Sequence, residues 1–161
     1  RLDSLIQDAL PLISPKLRKL ATICLDSQLE ALPPVKTQRM VLIQVFANLI
    51  TNALESIQRA GVANGSIAIA GALETTDGLE RLHVRVCDNG AGIAADSLEI
   101  IFARSFSSKG AVRSGIGLHW CANALTAMNG HIYAESDGPG KGACFHVLLN
   151  TLTNVEGHYR L

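Results

Sequence analysis

The sequence lacks a net charge: fourteen Lys and Arg balance fourteen Asp and Glu among 161 residues. That balance excludes a partner recruited by bulk electrostatics, such as duplex DNA or an anionic membrane surface, and leaves room only for a local patch. Apolar runs approaching the roughly 20 residues of a bilayer-spanning helix are missing too, and no signal-peptide pattern opens the chain. Cys24, Cys87, Cys121 and Cys144 lie far apart, without CxxC or Cys/His spacing. They are expected to be buried apolar thiols in a reducing compartment, neither metal ligands nor disulfides. There is no internal repeat, no low-complexity tract, and no initiator Met before "RLDSLI", which suits a piece of something longer. What is present is 48% hydrophobic residues, enough for one packed domain that buries roughly 70% of its unfolded surface.

Along the chain, "LDSLIQDAL" has helical spacing with Asp3 placed to cap it, and "SPKLRKL" restarts a turn with Pro15 at the first helical position. Residues 22–27, "TICLDS", suit a strand, and "LPPV" a loop. The longest periodic segment runs from Thr37 to Ala60 and is closed by Gly61. Leu42, Val45, Leu49, Ala53 and Ile57 mark its apolar stripe, so it is expected to be a helix. "SIAIAGAL" and "LERLHVRVCD" alternate around "TTDG" and predict an antiparallel hairpin. "DSLEIIF", 96–102, is expected to be a short helix capped by Asp96, and the polar "ARSFSSKGAVRS" that follows a loop. "GIGLHWCANALTAMNG" predicts a helix that starts on glycines and stops at Asn129-Gly130. "HIYAES" and "ACFHVLLN" complete the strands, joined by "DGPGKG". The expected fold is an α/β (α+β) two-layer sandwich: a mixed, largely antiparallel five-stranded sheet with helices on one face. Residues 1–150 form this domain, and 151–161 lose all pattern and are expected to be a tail.

Four short stretches carry chemistry. In "NLITNA", Asn48 and Asn52 are four residues apart and share a helix face with Gln44. Asparagine prefers caps to helix interiors, so a pair at this spacing suggests a task, although a solvated face would produce the same pattern. "CDNGAGI" ends a strand on Asp88, a carboxylate able to accept from an exocyclic amine, with Gly90 and Gly92 letting backbone approach a flat ring. "GIGLH" places Gly115 and Gly117 at a helix start, where free N–H groups and the helix dipole suit phosphate oxygens. "GKGACF" carries Gly140 and Gly142 into a strand, as an ordinary hairpin also could.

In this order, with Phe102 and Phe106 between the second and the third, the four stretches resemble the N, G1, F, G2 and G3 boxes of the GHKL ATP-binding fold, specifically the catalytic domain of bacterial histidine kinases, over nearly the whole chain from about Leu2 to Asn150. The resemblance implies that Asp88 takes the adenine amino group, that Gly90, Gly92 and Ile93 shape the purine pocket, and that Asn52 coordinates a Mg²⁺ ion bridging the phosphates of ATP. Asn48 would lie beside metal and phosphates. Phe102 and Phe106 match the aromatic box anchoring an ATP lid at about 103–114, and Ser107, Ser108 and Lys109 stand where many such kinases have Thr-Thr-Lys. Gly115, Gly117 and Leu118 would line the phosphate side, and Gly142 would support the sheet. Implied partners are the helical dimerisation and phospho-acceptor domain of the same kinase and a downstream response regulator. Neither nucleic acid nor direct membrane contact is implied. The expected setting is cytoplasmic, with a parent protein that could be membrane-anchored.

Some positions depart from the family pattern. Arg113 and Ser114 replace the usual glycine and threonine, and Glu55 stands where some relatives carry a phosphate-binding lysine. Arg104, Lys109 or Arg113 would then supply countercharge. Gyrase-type ATPases and the related serine kinases resemble versions with glutamate where this chain has Asn48. An amide is a poor base for activating water, which favours a kinase over a hydrolase. A GHKL ATPase or serine kinase, and a non-catalytic nucleotide-sensing docking module, remain the alternatives. His83, His119, His131, His146 and His158 all lack an acceptor motif and are expected to be structural.

Overall fold

The computed structural model describes residues 1–35, 37–103 and 116–151. Helix α1 spans Leu2–Ala9, α2 Pro15–Arg18, α3 Arg39–Ala60 and α4 Ile116–Ala127; strands β1 to β5 span Ala21–Leu25, Gly65–Thr76, Leu79–Asp88, His131–Glu135 and Ala143–Asn150. They form one five-stranded sheet in the order β1-β2-β3-β5-β4. Only β1 and β2 run parallel; the other pairs are antiparallel. This is the mixed, largely antiparallel sheet that the alternation predicts.

Period-two alternation sends Ile67 and Ile69 of β2, Leu82, Val84 and Val86 of β3, and Phe145, Val147 and Leu149 of β5 to one face, where all are buried. Helix α3 lies on that face with its whole expected stripe, Leu42, Val45, Leu49, Ala53 and Ile57, buried. Contrary to expectation, α3 is by length and composition apolar enough to cross a membrane. Its burial against the sheet identifies it as the core helix. Gly61 ends it at φ 64°, with its N–H bonded to the Gln58 carbonyl. The β2–β3 hairpin turns on Asp77 and Gly78, at φ 53° and 75°, the geometry of a two-residue type I′ turn.

Three local expectations are corrected. Asp3 does not cap α1; it lies inside the first turn and pairs with Arg1. Residues 96–102 form two 3₁₀ turns, Ala95–Ser97 and Ile100–Phe102, because so short a stretch, with Ile101 alone fully buried, cannot sustain an α-helix. Asp96 accepts from the Ser97 hydroxyl and caps nothing. Among the cysteines only Cys121 is a buried thiol; Cys24 is exposed on β1, and Cys87 and Cys144 are joined in a disulfide. These two are separated by 57 positions yet directly opposed in the β3–β5 register.

The outer face of the sheet is polar. There Glu74 Oε1 lies 2.6 Å from His83 Nδ1, and His83 Nε2 lies 2.8 Å from His146 Nδ1. His146 Nε2 sits 3.1 Å from Glu135 Oε2, close enough to pair but off the line of a hydrogen bond. Tyr133 stacks on His146 at 4.4 Å and 6°. His83 and His146 thus tie β2, β3, β5 and β4 together, as structural histidines.

Candidate functional site

The polar line on α3 is longer than the two asparagines. Gln44, Asn48, Asn52 and Ser56 follow at steps of four, so they rise along one helix face. Gln44 Nε2 donates to Asn48 Oδ1 at 3.0 Å. The Asn48 Nδ2 group points to Cys121 Sγ on α4 at 3.8 Å. Burial pushes the Cys121 thiol up to about 12, with the Asn48 contact opposing it, so this thiol stays protonated. A Cβ built on Gly117 would stand 4.0 Å from the Asn48 carboxamide. This end of the line therefore faces the first turn of α4.

The other end reaches Asp88. As the last residue of β3, Asp88 continues the inward phase of Val84 and Val86 and so points toward α3. Ser56 Oγ lies 3.5 Å from Asp88 Oδ1, and Gly90 N–H donates to the same oxygen at 2.8 Å. Burial raises the Asp88 carboxyl above the ordinary aspartate value; the Gly90 amide, the Ser56 hydroxyl, the Ala143 backbone and the charge of Arg59 pull the other way. Ser56 is a site residue that the two-asparagine reading misses, and the step of four is the signal that finds it. Its Oγ also accepts from Ala91 N–H at 2.9 Å and so fixes the loop after Asp88.

That loop is held from both sides. A Cβ on Gly90 would lie 2.5 Å from Ser56 Oγ and 2.7 Å from the Ile57 backbone nitrogen. Gly92, at φ 70°, lies against the β4–β5 loop, where a Cβ would approach the Gly138 carbonyl to 2.1 Å. Gly140 N–H donates to Ala91 O at 2.7 Å and Gly142 N–H to Gly90 O at 3.3 Å. The glycines expected to open room for a ring are thus needed for packing of protein on protein. Ser136 Oγ completes the joint: it accepts from Ile93 N–H at 3.0 Å and donates to Gly142 O at 2.6 Å. The "DGPGKG" connection is therefore a buttress for the Asp88 loop as well as a turn.

Ile93, Phe102 and Leu118 are partly buried against the core. Phe102 meets Phe145 edge-on at 6.1 Å and 82°, and its carbonyl accepts from His119 Nδ1 of α4 at 3.0 Å. Asn123 Nδ2 lies 3.1 Å from His119 Nε2, so both ring nitrogens of His119 have partners within the fold. Glu55 is half-buried on α3. Phe106, Ser107, Ser108, Lys109, Arg104, Arg113, Ser114, Gly115 and His158 lie outside the described residues, as do most of the expected lid and tail.

Among the described residues no group of three or more His, Cys, Asp or Glu could hold a metal alone. A magnesium ion would therefore depend on phosphate oxygens and water for most of its shell, with an amide oxygen of α3 as the protein ligand, a set that magnesium accepts. The half-buried Asn52, one turn from Asn48 in the same line of polar side chains, carries the amide oxygen such an ion would need.

A sheet backed by α3, with Asp88 at one end of a polar helix face and the start of α4 at the other, defines an ATP-binding domain of the GHKL type. Residues 37–153 match the family described as "Histidine kinase-, DNA gyrase B-, and HSP90-like ATPase". The chain belongs to that family, as a catalytic ATP-binding domain of the bacterial histidine kinase kind. It is 35% identical to the sensor histidine kinase ZraS of Klebsiella oxytoca over 148 residues, 92% of this chain and 30% of that protein. It is 33% identical to the adaptive-response sensory kinase SasA of Crocosphaera subtropica, over 73% of this chain and 29% of the relative. The chain thus spans less than a third of the length of these relatives. The solved catalytic domain of histidine kinase ThkA, nucleotide free, superimposes with TM-score 0.71 at 28% identity, covering 93% of this chain and 94% of that one. Full-length ShkA in complex with AMPPNP matches with TM-score 0.71 over 92% of this chain and 30% of that one; at 23% identity it speaks for the fold alone.

Proposed function

We propose that this domain binds Mg-ATP between α3 and the α4 side of the fold and presents the γ-phosphate to a histidine on a separate helical dimerisation and phospho-acceptor domain. The observation that carries the reading is the line Gln44–Asn48–Asn52–Ser56, which meets Asp88 at one end and Gly117 at the other. From Asn48 to Ser56 is about 12 Å along the helix, room for a base at one end and a polyphosphate at the other. Asp88 would accept from the adenine amino group. Asn52 would supply an amide oxygen to magnesium, whose chemistry when bound is to neutralise phosphate charge. Asn48, Gly117 and Leu118 would border the phosphates, with Gly115 and Lys109 contributing from the adjoining segment. Catalysis by such a site is positioning and charge stabilisation, since the nucleophile comes from another domain. Asn48 offers no carboxylate to activate water, which supports phosphotransfer over hydrolysis.

The acceptor domain, a response regulator receiving the phosphoryl group onward, and a cytoplasmic setting all belong to this reading. It is tested by a titration with a fluorescent ATP analogue and Mg²⁺, repeated with GTP as competitor. Displacement by ATP and ADP but not GTP is expected; equal competition by GTP would remove Asp88 from the base-reading role.

A further inference from the structure

Beyond the nucleotide site, the outer face of the sheet carries a pair of cysteines at a telling place. Cys87 and Cys144 are directly opposed on β3 and β5, with Cα atoms 4.0 Å apart, as in the close, non-hydrogen-bonded pairs of an antiparallel ladder. The next pair in register, Asp88 with Ala143, is the last of that ladder. Ladder ends fray first, and this end carries the residue on which base recognition depends. Beyond it come the contacts that hold the Asp88 loop, Gly142 N–H to Gly90 O and Gly140 N–H to Ala91 O. A bond between Cys87 and Cys144 therefore clamps the end of β3 to the strand that supports the loop.

Both sulfurs are on residues that are half-exposed. Cys121, buried and with its thiol pushed up to about 12, takes no part. Cys24 lies in the same cross-sheet row but is separated from Cys87 by Ala68 of β2. Disulfides in a cytosolic setting are characteristically transient or redox-sensing, not permanent.

We propose that Cys87 and Cys144 form a redox switch that sets nucleotide affinity: oxidised, the bond holds Asp88 and its loop ready for adenine; reduced, the ladder end loosens and affinity falls. The inference rests on the ATP reading of the site. The step is thiol–disulfide exchange with a small dithiol. One thiolate of the dithiol attacks a sulfur of the pair, and its second thiolate then displaces the remaining cysteine. The Cys87–Cys144 bond breaks as the dithiol closes its own disulfide. Two electrons pass to the protein, and the two protons of the dithiol end on Cys87 and Cys144. Exchange with an oxidised dithiol runs the same step backwards.

The test compares the chain oxidised with trans-4,5-dihydroxy-1,2-dithiane against the chain reduced with dithiothreitol. Differential alkylation and peptide mass mapping report the pair, and titration with a fluorescent ATP analogue and Mg²⁺ reports affinity. The expected result is a Cys87–Cys144 linked peptide in the oxidised sample and a loss of affinity of about fivefold on reduction, the lower range of allosteric coupling. Hydrogen exchange should rise on reduction at residues 88–92 and 138–143. Cys24→Ser should keep the redox response, and Cys144→Ser should show the reduced affinity in both conditions. Absence of the linked peptide under oxidant, or equal affinity in two samples whose thiol states are verified, overturns the switch while leaving the ATP reading intact. Failure of the analogue to bind in either state overturns the ATP reading itself, and the switch with it.

Discussion

Asp88 is held in tension between burial, which favours its neutral acid, and the Gly90 amide and Ser56 hydroxyl, which favour the carboxylate. Because the balance lies on the side of burial, its carboxyl gives up its proton at higher pH than the ordinary 3.8. With Oδ1 held by Gly90 and Ser56, only the ionised group keeps Oδ2 as a full anionic acceptor for an amine. Nucleotide affinity should therefore fall as pH drops through that raised value, while Asp88→Asn should be insensitive over the same range. At neutral pH the asparagine variant should bind ATP more weakly by about 1.5–3 kcal/mol, the range for a charge-assisted hydrogen bond. Calorimetric titrations of both chains across pH check both statements; a flat profile for the unsubstituted chain would count against Asp88. The glycines separate by a different criterion. Gly90→Ala drives a methyl into α3 backbone and should cost about 1–3 kcal/mol of unfolding free energy, as overpacking does. Gly117→Ala meets only the Asn48 carboxamide at ordinary contact distance and should leave stability unchanged or raised. Urea melts of the two variants decide it. That contrast was not legible in the sequence, where each glycine announces conformational freedom but not what occupies the space beside it.

At the scale of elements, α3 was legible almost to the residue because its stripe and its Gly61 cap are local signals. The polar line was legible by the same period, since Gln44, Asn48, Asn52 and Ser56 differ by four. What joins it to Asp88 was not, because that contact spans 32 positions and needs the sheet to be assembled first. The same holds for the cysteine pair and the two linked histidines, whose partners are fixed by strand order. His83 and His146 are separated by 63 positions and come together only because β5 inserts between β3 and β4. Burial, His83 and Arg85 lower the proton affinity of His146, against the pull of Glu135. The folded chain then resists a proton that the unfolded chain accepts, so stability present above the ordinary imidazole value of about 6.5 is lost as pH falls below it. Thermal melts between about pH 7 and 5 should show that decline. His146→Gln should flatten it, and an equally steep decline in the variant would place the titration elsewhere.

For the molecule as a whole, the decisive quantity is where the γ-phosphate goes. In the proposed reading Asn52 would offer magnesium an amide oxygen, Asn48 has no carboxylate to act as a general base, and none of the five histidines of this chain lies in an acceptor motif. His83 and His146 are tied into the outer face, and His119 is bonded to the Phe102 carbonyl and lies against Asn123. With γ-labelled ATP and Mg²⁺, the chain alone should stay unlabelled and release phosphate slowly. On the proposed function, adding a cognate histidine-bearing acceptor hairpin as a separate protein should put label on the hairpin. That label should be lost in acid and kept in alkali, because a phosphoramidate on imidazole hydrolyses when protonated whereas a phosphoserine does not. Asn52→Ala should abolish the transfer while retaining much of the affinity for the adenine end, since Asp88 and Ser56 are untouched. Acid-stable label would point to a serine kinase. Brisk hydrolysis without the hairpin would show that a group other than a carboxylate at position 48 activates water, and the inference drawn from that one side chain would fail.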